Sequence, residues 1–297
     1  MSQILTLVAP AGALAASTLA QIRTALANLG AEAGTPDWLA PEEAADIPFS
    51  GLAPDQAAAA ARAALGDAPV DAIANPAEGR RKQLLLADMD STIVTSETLD
   101  EIAAYAGLKE QIAEITRRSM NGELDFRQAL IERVGMLGGL DASALERTWE
   151  ATAITPGAEA LVATMRAHGA HCALVSGGFT YFTGRVADRL GFHAHYSNTL
   201  LVAEGKLTGK VAEPILDRDA KLATLKRLAA EHGLPLSAAL TVGDGANDLA
   251  MLQAAGLGVA WRAKPVVAAA ARARVDHADL RALLFAQGYR ATEIITA

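Results

Sequence analysis

The stretch LLLADMDST, residues 84–92, most constrains what this chain can fold into. Its four leading apolar residues suit one buried strand of a parallel sheet, and two carboxylates and two hydroxyls follow at once. Open α/β sheets bind ligands at the carboxyl ends of their strands, so Asp88 and Asp90 are predicted to face a ligand crevice. Because carboxylates this close repel each other, the pair indicates a bound cation or a reaction.

The remaining sequence predicts an α/β fold with two units. Residues 1–76 follow the order β-α-β-β-α-β, a ferredoxin-like α+β pattern, and residues 77–82 form a polar linker. From residue 83 to 297 the pattern predicts a doubly wound, Rossmann-like core. Residues 97–152, approximately, show helical patterns without strands, so we expect a helical-bundle cap inserted after the first core strand.

Composition excludes several classes of protein. The 297 residues are 51% hydrophobic, which supports sizeable cores, and the net charge of −8 argues against nucleic-acid binding. Cys172 is the single cysteine, so no internal disulfide can form, and we expect this thiol to be buried. The apolar N-terminus has no basic residue before Arg23 and is interrupted by Pro10 and Gly12, so we expect a cytoplasmic protein without a membrane segment.

Three more polar clusters fall at predicted strand ends or helix starts: SGG at residues 176–178, Lys221, and GDGAND at residues 243–248. A D-x-D-x-[ST] match is weak by itself, and Lys221 by itself could be a solvated helix residue. Together the four clusters suit phosphoryl transfer through a covalent aspartyl-phosphate. A carboxylate can attack phosphorus when a divalent cation neutralises the two approaching anions.

Each cluster suits one part of this chemistry. Asp88 and Asp244 offer the hard oxygen ligands that Mg²⁺ prefers, and Asp90 can act first as acid and then as base. The side chain of Ser176 and the amide of Gly177 can hold phosphate oxygens at a predicted helix N-terminus, after a strand that ends at Val175. The charge of Lys221 can stabilise both the phosphate and the nucleophile.

These clusters, in this order, resemble the four motifs of the haloacid dehalogenase (HAD) superfamily of phosphatases, over about residues 83–290. The resemblance implies a Rossmann-like core with Asp88 as nucleophile and Asp90 as acid and base. It also implies one Mg²⁺ per active site, with Asp248 orienting the metal's surroundings. The implied ligands are the Asp88 side chain, the Asp90 main-chain carbonyl and Asp244.

Longer stretches resemble the phosphoserine phosphatases within this superfamily: DMDSTIVTSETLDEIA, MNGELDFRQALIERV, VSGGF and VGDGANDLAML. The implied activity is hydrolysis of O-phospho-L-serine to L-serine and phosphate, the final step of L-serine biosynthesis. Glu97 would bind the substrate's amine and Arg133 its carboxylate. Met120 and Phe126 would close over the substrate, and Asn247 would lie near the phosphate. The N-terminal segment resembles an ACT-like domain more loosely.

One helix of the predicted cap supports a substrate role independently of the resemblance. Phe126, Leu130, Val134 and Leu137 form an apolar stripe, and Arg133 lies on much the same face. An arginine there is costly unless it meets an anion, which a bound carboxylate would supply.

Other interpretations stay open from the sequence. Glu97 could merely favour a helix N-terminus by its charge, and Arg133 could pair with a buried acid of another cap helix. The core could instead be a phosphotransferase, or a phosphatase for another small ester. A different class is a regulatory protein whose ACT-like domain binds an amino acid. A homodimer through that domain is one arrangement that the sequence leaves open.

Overall fold

The computed structural model describes residues 2–296. Within them, the strands are β1 Gln3–Val8, β2 Glu32–Ala33, β3 Asp37–Ala40, β4 Ala44–Ser50, β5 Asp71–Pro76, β6 Leu84–Ala87, β7 His171–Phe179, β8 Ala194–Asn198, β9 Leu200–Ala203, β10 Lys206–Val211, β11 Ala239–Gly243, β12 Leu257–Trp261 and β13 Ala273–Val275. The helices are α1 Ala16–Asn28, α2 Pro54–Leu65, α3 Thr98–Ala104, α4 Lys109–Met120, α5 Phe126–Gly135, α6 Ser143–Ala151, α7 Ala158–Ala167, α8 Thr180–Leu190, α9 Arg218–Glu231, α10 Leu249–Ala254, α11 Pro265–Ala270 and α12 Ala282–Ala286. None of these helices has both the length and the apolar content needed to cross a bilayer.

The N-terminal sheet is antiparallel, with the strand order β2-β4-β1-β5 and with β3 also paired to β4. Helix α1 buries Leu19, Ile22 and Leu26, whose spacing of three and four residues places them on one face. This face packs on the sheet in one apolar cluster with α2. The arrangement agrees with the predicted β-α-β-β-α-β order.

The predicted order has one strand directly after the first helix, near residues 32–39, where the structure has two short strands, β2 and β3. Gly34 and Pro36 lie between them, and Pro36 has no amide hydrogen to donate to the ladder. The chain stays beside β4 because the Gly34 amide donates to the Pro48 carbonyl at 2.7 Å. The break therefore changes the number of strands without changing the order of the sheet.

The second sheet has six parallel strands in the order β13-β12-β11-β6-β7-β8. Strand β6 lies inside this sheet, and all four of its residues are fully buried. A strand covered on both faces is expected to be continuously apolar, which explains the LLLA run. The doubly wound core predicted from the sequence is confirmed. Cys172 is also fully buried, in β7.

Five helices, α3 to α7, lie between β6 and β7. The first four, α3 to α6, form the helical segment, and none of the thirteen strands falls between residues 98 and 151. The segment between α5 and α6 contacts the β9–β10 hairpin, whose turn is at Glu204 and Gly205. Backbone hydrogen bonds from Gly139 to Leu207 and from Leu207 to Leu140, both 2.8 Å, join the two segments. The helices are thereby attached to a hairpin that follows β8.

Candidate active site

Three of the four polar clusters meet because their strands are neighbours. The order β11-β6-β7 places the residues after β6, the end of β7 and the residues after β11 at one edge of the parallel sheet. Asp88, Ser176 and Asp244 lie there, each with no more than 2% of its surface exposed. Crevices at this edge are the usual ligand sites of α/β sheets.

A wide turn over Met89–Ile93 positions the second aspartate. It is closed by a 2.9 Å hydrogen bond from the Val94 amide to the Met89 carbonyl, and Ser91 adopts a left-handed φ of 53°. The Oδ1 of Asp90 accepts a 2.8 Å hydrogen bond from the Thr98 amide at the start of α3. The side chain of Asp90 is thus held between the turn and the first helix after it.

Lys221 is buried between two carboxylates. Its Nζ lies 2.8 Å from Asp88 Oδ1 and 2.6 Å from Asp248 Oδ1. Burial lowers the pKa of Lys221, but Asp248 and Asp88 outweigh burial and raise its pKa above the ordinary value. The other oxygen of Asp248 accepts a 3.0 Å hydrogen bond from the Gly245 amide. Both oxygens of Asp248 therefore have protein donors.

Asp244 differs from Asp248, because neither of its buried carboxylate oxygens has a hydrogen-bond partner among the described residues. Lys264 Nζ is 3.7 Å from Oδ2, beyond hydrogen-bond distance. Burial, followed by the charge of Asp248, raises the pKa of Asp244 to about 7. Burying a carboxylate without partners is costly, so this position suits a cation.

The surrounding charges also fit a divalent cation. Asp88, Asp244 and Asp248 each place a carboxylate oxygen within 4.8 Å of the others, and all three side chains are buried. Lys221 offsets one of these three charges, and the partly exposed Lys264, 3.7 Å from Asp244 Oδ2, offsets another only in part, so the cluster stays negative. Burial, then the charge of Asp248, raises the pKa of Asp88 well above its ordinary value. A hard divalent ion would relieve this repulsion.

The SGG segment departs from the sequence prediction. Strand β7 continues through Phe179 and α8 begins at Thr180, so Ser176 and Gly177 belong to the strand and do not form a helix N-terminus. The pairing with β8 shifts register between Val175 and Phe179. The Asn198 side-chain amide donates to the Gly177 carbonyl at 2.9 Å, which holds the segment extended.

The extended segment brings Ser176 to the second aspartate. Ser176 Oγ accepts a 2.9 Å hydrogen bond from the Gly178 amide and donates to Asp90 Oδ2 at 3.2 Å. Burial raises the pKa of Asp90, and the hydrogen bonds from Thr98 and Ser176 act in the opposite direction. A carboxyl group with a raised pKa is suited to giving and taking a proton.

A cleft of about 520 Å³ opens above these residues and is bounded by the sheet edge and by helices α3, α4 and α5. Its lining includes nine of the residues singled out from the sequence: Asp88, Asp90, Glu97, Met120, Phe126, Arg133, Ser176, Gly177 and Asn247. The phenyl ring of Phe126 lies against Gly177, where a Cβ would be only 2.5 Å from the ring. Lys221 reaches the same site through its contact with Asp88.

Two charged residues of the cleft come from the helical segment. Glu97, which is half-buried, accepts a hydrogen bond from the Ser91 hydroxyl, and its pKa is raised well above the ordinary value by burial and by Asp90 and Asp244. Arg133 is only 6% exposed. No carboxylate of the described residues lies within 4.0 Å of its guanidinium, so the direct ion pair weighed as an alternative is absent there.

Sequence reasoning missed two polar contributors, Asn198 and Thr116. Asn198 ends β8, so a polar residue at the carboxyl end of a core strand was a usable signal. Thr116 lies inside α4 and lines the cleft, but no local pattern distinguishes it from a packing residue.

Known proteins resemble this chain in sequence and in fold. A phosphoserine phosphatase from Streptomyces coelicolor is 40% identical over 259 residues, which cover 86% of this chain and 63% of that protein. One from Streptococcus thermophilus is 45% identical over 199 residues, which cover 67% of this chain and 93% of that protein. This chain thus spans less than two thirds of the Streptomyces coelicolor relative.

A solved structure described as a phospho-aspartyl intermediate analogue of phosphoserine phosphatase superposes with a TM-score of 0.67 at 38% identity. The match covers 69% of this chain and 98% of that one. The family model of haloacid dehalogenase-like hydrolases matches residues 85–253, which is more than half of the chain. On its fold, its motifs and this match, the chain belongs to the haloacid dehalogenase-like hydrolase family.

Proposed function

We propose that this chain is a Mg²⁺-dependent phosphatase that hydrolyses O-phospho-L-serine to L-serine and phosphate, the final step of L-serine biosynthesis. The observation that carries the proposal is the joint presence of Asp88, Glu97 and Arg133 in one cleft. A phosphate ester that also bears an amine and a carboxylate is complementary to this set of charges. Both relatives described above are phosphoserine phosphatases.

In the proposed reaction, a carboxylate oxygen of Asp88 attacks phosphorus, and the bond from phosphorus to the serine oxygen breaks. Asp90 gives its proton to the departing serine oxygen. Asp90 then takes a proton from the water that attacks the aspartyl-phosphate, which releases phosphate and restores Asp88. The ion pair between Lys221 Nζ and Asp88 Oδ1, 2.8 Å apart, supports Asp88 as the nucleophile, because it favours the carboxylate form. The superposed phospho-aspartyl analogue also supports it.

The proposed ligands of one Mg²⁺ are the Asp88 side chain, the Asp90 main-chain carbonyl and Asp244. When bound, the ion would neutralise phosphate oxygens that approach the nucleophile. The unpartnered oxygens of Asp244 support its role as a ligand. Asp248 already accepts from Lys221 and Gly245, which supports a role in orienting the site.

The remaining cleft residues are proposed to bind the substrate. Ser176, the Gly177 amide, Lys221 and the side-chain NH2 of Asn247 would donate to the phosphate, and Ser176, Gly177 and Asn247 line the cleft. Glu97 would accept from the amine and Arg133 would donate to the carboxylate. Met120 and Phe126 would exclude water from the reacting atoms.

A phosphate-release assay over a panel of phosphorylated metabolites tests the function. We expect phosphoserine to have the highest kcat/KM with Mg²⁺, and we expect EDTA to abolish turnover until Mg²⁺ is restored. Added alcohol acceptors distinguish a phosphotransferase, which would form a new ester in place of free phosphate. The proposal fails if purified protein with Mg²⁺ releases no phosphate from phosphoserine.

We further propose that residues 1–76 form an ACT-like domain, joined by the linker 77–82 to the phosphatase core at 83–297, in a cytoplasmic enzyme. The antiparallel sheet with α1 and α2 on one face supports the domain proposal. Calorimetric titration of the full chain with serine tests for an effector site, and light scattering tests for a homodimer. If titration with serine produces no heat of binding and light scattering gives the mass of a monomer, this domain has a purely structural role.

A further inference from the structure

Arg133 is fixed at two points before any ligand arrives. Its Nε donates to the Ala129 carbonyl of the same helix at 3.1 Å, and its Nη1 donates to Thr116 Oγ1 at 2.8 Å. No hydrogen-bond acceptor of the described residues engages Nη2. The guanidinium of Arg133, a residue that lines the cleft, therefore keeps free donors.

The Thr116 hydroxyl connects this arginine to a buried acid on a third helix. Thr116 Oγ1 lies 2.7 Å from Asp100 Oδ1, to which it donates, and 3.0 Å from the Ile112 carbonyl. Thr116 and Asp100 are only 3% and 8% exposed. Helices α3, α4 and α5 thus each contribute one member of the series Asp100, Thr116 and Arg133.

We propose that Thr116, oriented by Asp100, is a positioning residue that directs the Arg133 guanidinium toward the carboxylate of the substrate. The inference rests on the proposed function. A direct pair between Asp100 and Arg133 would consume the donors that a substrate carboxylate needs. The intervening hydroxyl lets Asp100 offset the buried positive charge while the outer donors of Arg133 stay free.

The proposal predicts a change in substrate affinity that depends on the substrate's carboxylate. Thr116→Val keeps the shape of the side chain but removes the hydroxyl. We expect the KM for phosphoserine to rise about tenfold, because a hydrogen bond to a charged group is lost. The KM for p-nitrophenyl phosphate, which has no carboxylate, should stay at the wild-type value, as should kcat for both substrates.

Two variants provide matched controls. Thr116→Ser retains the hydroxyl and should restore the KM for phosphoserine to within about twofold of wild type. Thr148→Val replaces another buried threonine of the same helical segment, on α6, whose hydroxyl has no partner among the described residues. This variant should behave like wild type on both substrates. If Thr116→Val is too unstable to assay, Thr116→Ala removes the same hydroxyl and must show the same rise.

The outcomes separate this inference from the proposed function. Unchanged phosphoserine KM in Thr116→Val, or an equal rise on both substrates, overturns the positioning role while the function stands. A wild-type protein that does not turn over phosphoserine overturns the proposed function and this inference together.

Discussion

At the residue scale, the nucleophilic chemistry of Asp88 can be removed with little change in the shape of its side chain. Asp88→Asn retains an oxygen that can accept from Lys221, 2.8 Å away, but an amide cannot attack phosphorus. We expect kcat to fall by at least about 10³-fold. Circular dichroism should show an unchanged fold, and Asp188→Asn, an exposed change on α8, should leave kcat unchanged. Substantial turnover by Asp88→Asn would indicate direct attack by water.

Arg133 offers a test of substrate choice. Arg133→Ala removes donors suited to a carboxylate, so kcat/KM for phosphoserine should fall about 10² to 10³-fold. Turnover of p-nitrophenyl phosphate should change little. Arg127→Ala is the control, because Arg127 belongs to the same helix but is exposed and pairs with Glu213. Equal losses on both substrates would assign Arg133 a structural role.

The sequence reveals a functional residue when the residues next to it in the chain form a recognisable pattern. The aspartates at residues 88, 90 and 244 were recognisable because each follows a buried strand. Thr116 was not recognisable, because its partners Asp100 and Arg133 are 16 and 17 residues away on other helices. Helix packing sets such contacts, and the sequence of one helix does not reveal them.

At the element scale, the extended end of β7 depends on the absence of a side chain at Gly178. A Cβ there would lie 2.5 Å from Asp90 Oδ2 and 3.1 Å from Ser176 Oγ. Gly178→Ala should therefore displace Asp90. We expect kcat to fall at least about tenfold, because a displaced catalytic group slows the catalysed step. Steady-state kinetics with phosphoserine measures this effect.

Gly135→Ala is the matched control, because a Cβ at this position in α5 would meet nothing within 4 Å. Alanine is the better helix former by about 1 kcal/mol, so this variant should be slightly more stable and equally active. Wild-type kcat in Gly178→Ala would show that the close approach to Asp90 is not needed for catalysis.

The sequence predicted the type and the order of the helices and strands better than the residues at which they begin and end. The hydrophobic run of β6 and the helices α3 to α6 follow from local patterns. The extension of β7 through Phe179 does not, because it depends on Asn198, a side chain from the neighbouring strand. The sequence predicted a helix N-terminus there, and a tertiary hydrogen bond holds the segment extended instead.

At the scale of the whole molecule, the two sheets are joined by buried polar contacts between distant parts of the chain. Arg80 donates to both carboxylate oxygens of Asp46, at 2.6 and 2.7 Å, and to the Ala286 carbonyl at 3.1 Å. These contacts span up to 206 residues. Composition and periodicity gave no sign of them, so the sequence predicted two units but not how they are attached.

Asp71, at the start of β5, forms the most concentrated of these contacts. It is 4% exposed and accepts backbone hydrogen bonds from Asp276, His277 and Ala278, at 2.7, 3.1 and 2.9 Å. Removing the carboxylate takes away the partner of the buried Ala278 amide, which costs about 1–3 kcal/mol, and of two partly exposed amides, which cost less. Attachment of the N-terminal sheet to the core therefore depends on this one side chain more than on any exposed ion pair.

We expect Asp71→Ala to lower the melting temperature by about 5–10 °C, given a loss of roughly 3 kcal/mol in a chain of this size. Scanning calorimetry should also show the N-terminal unit melting before the core, because the most buried of the polar contacts that couple them is gone. Asp67→Ala, an exposed change four residues earlier, controls for loss of an acid in the same region. A single transition at the wild-type temperature in Asp71→Ala would mean that the Arg80 contacts and apolar packing couple the two units without Asp71.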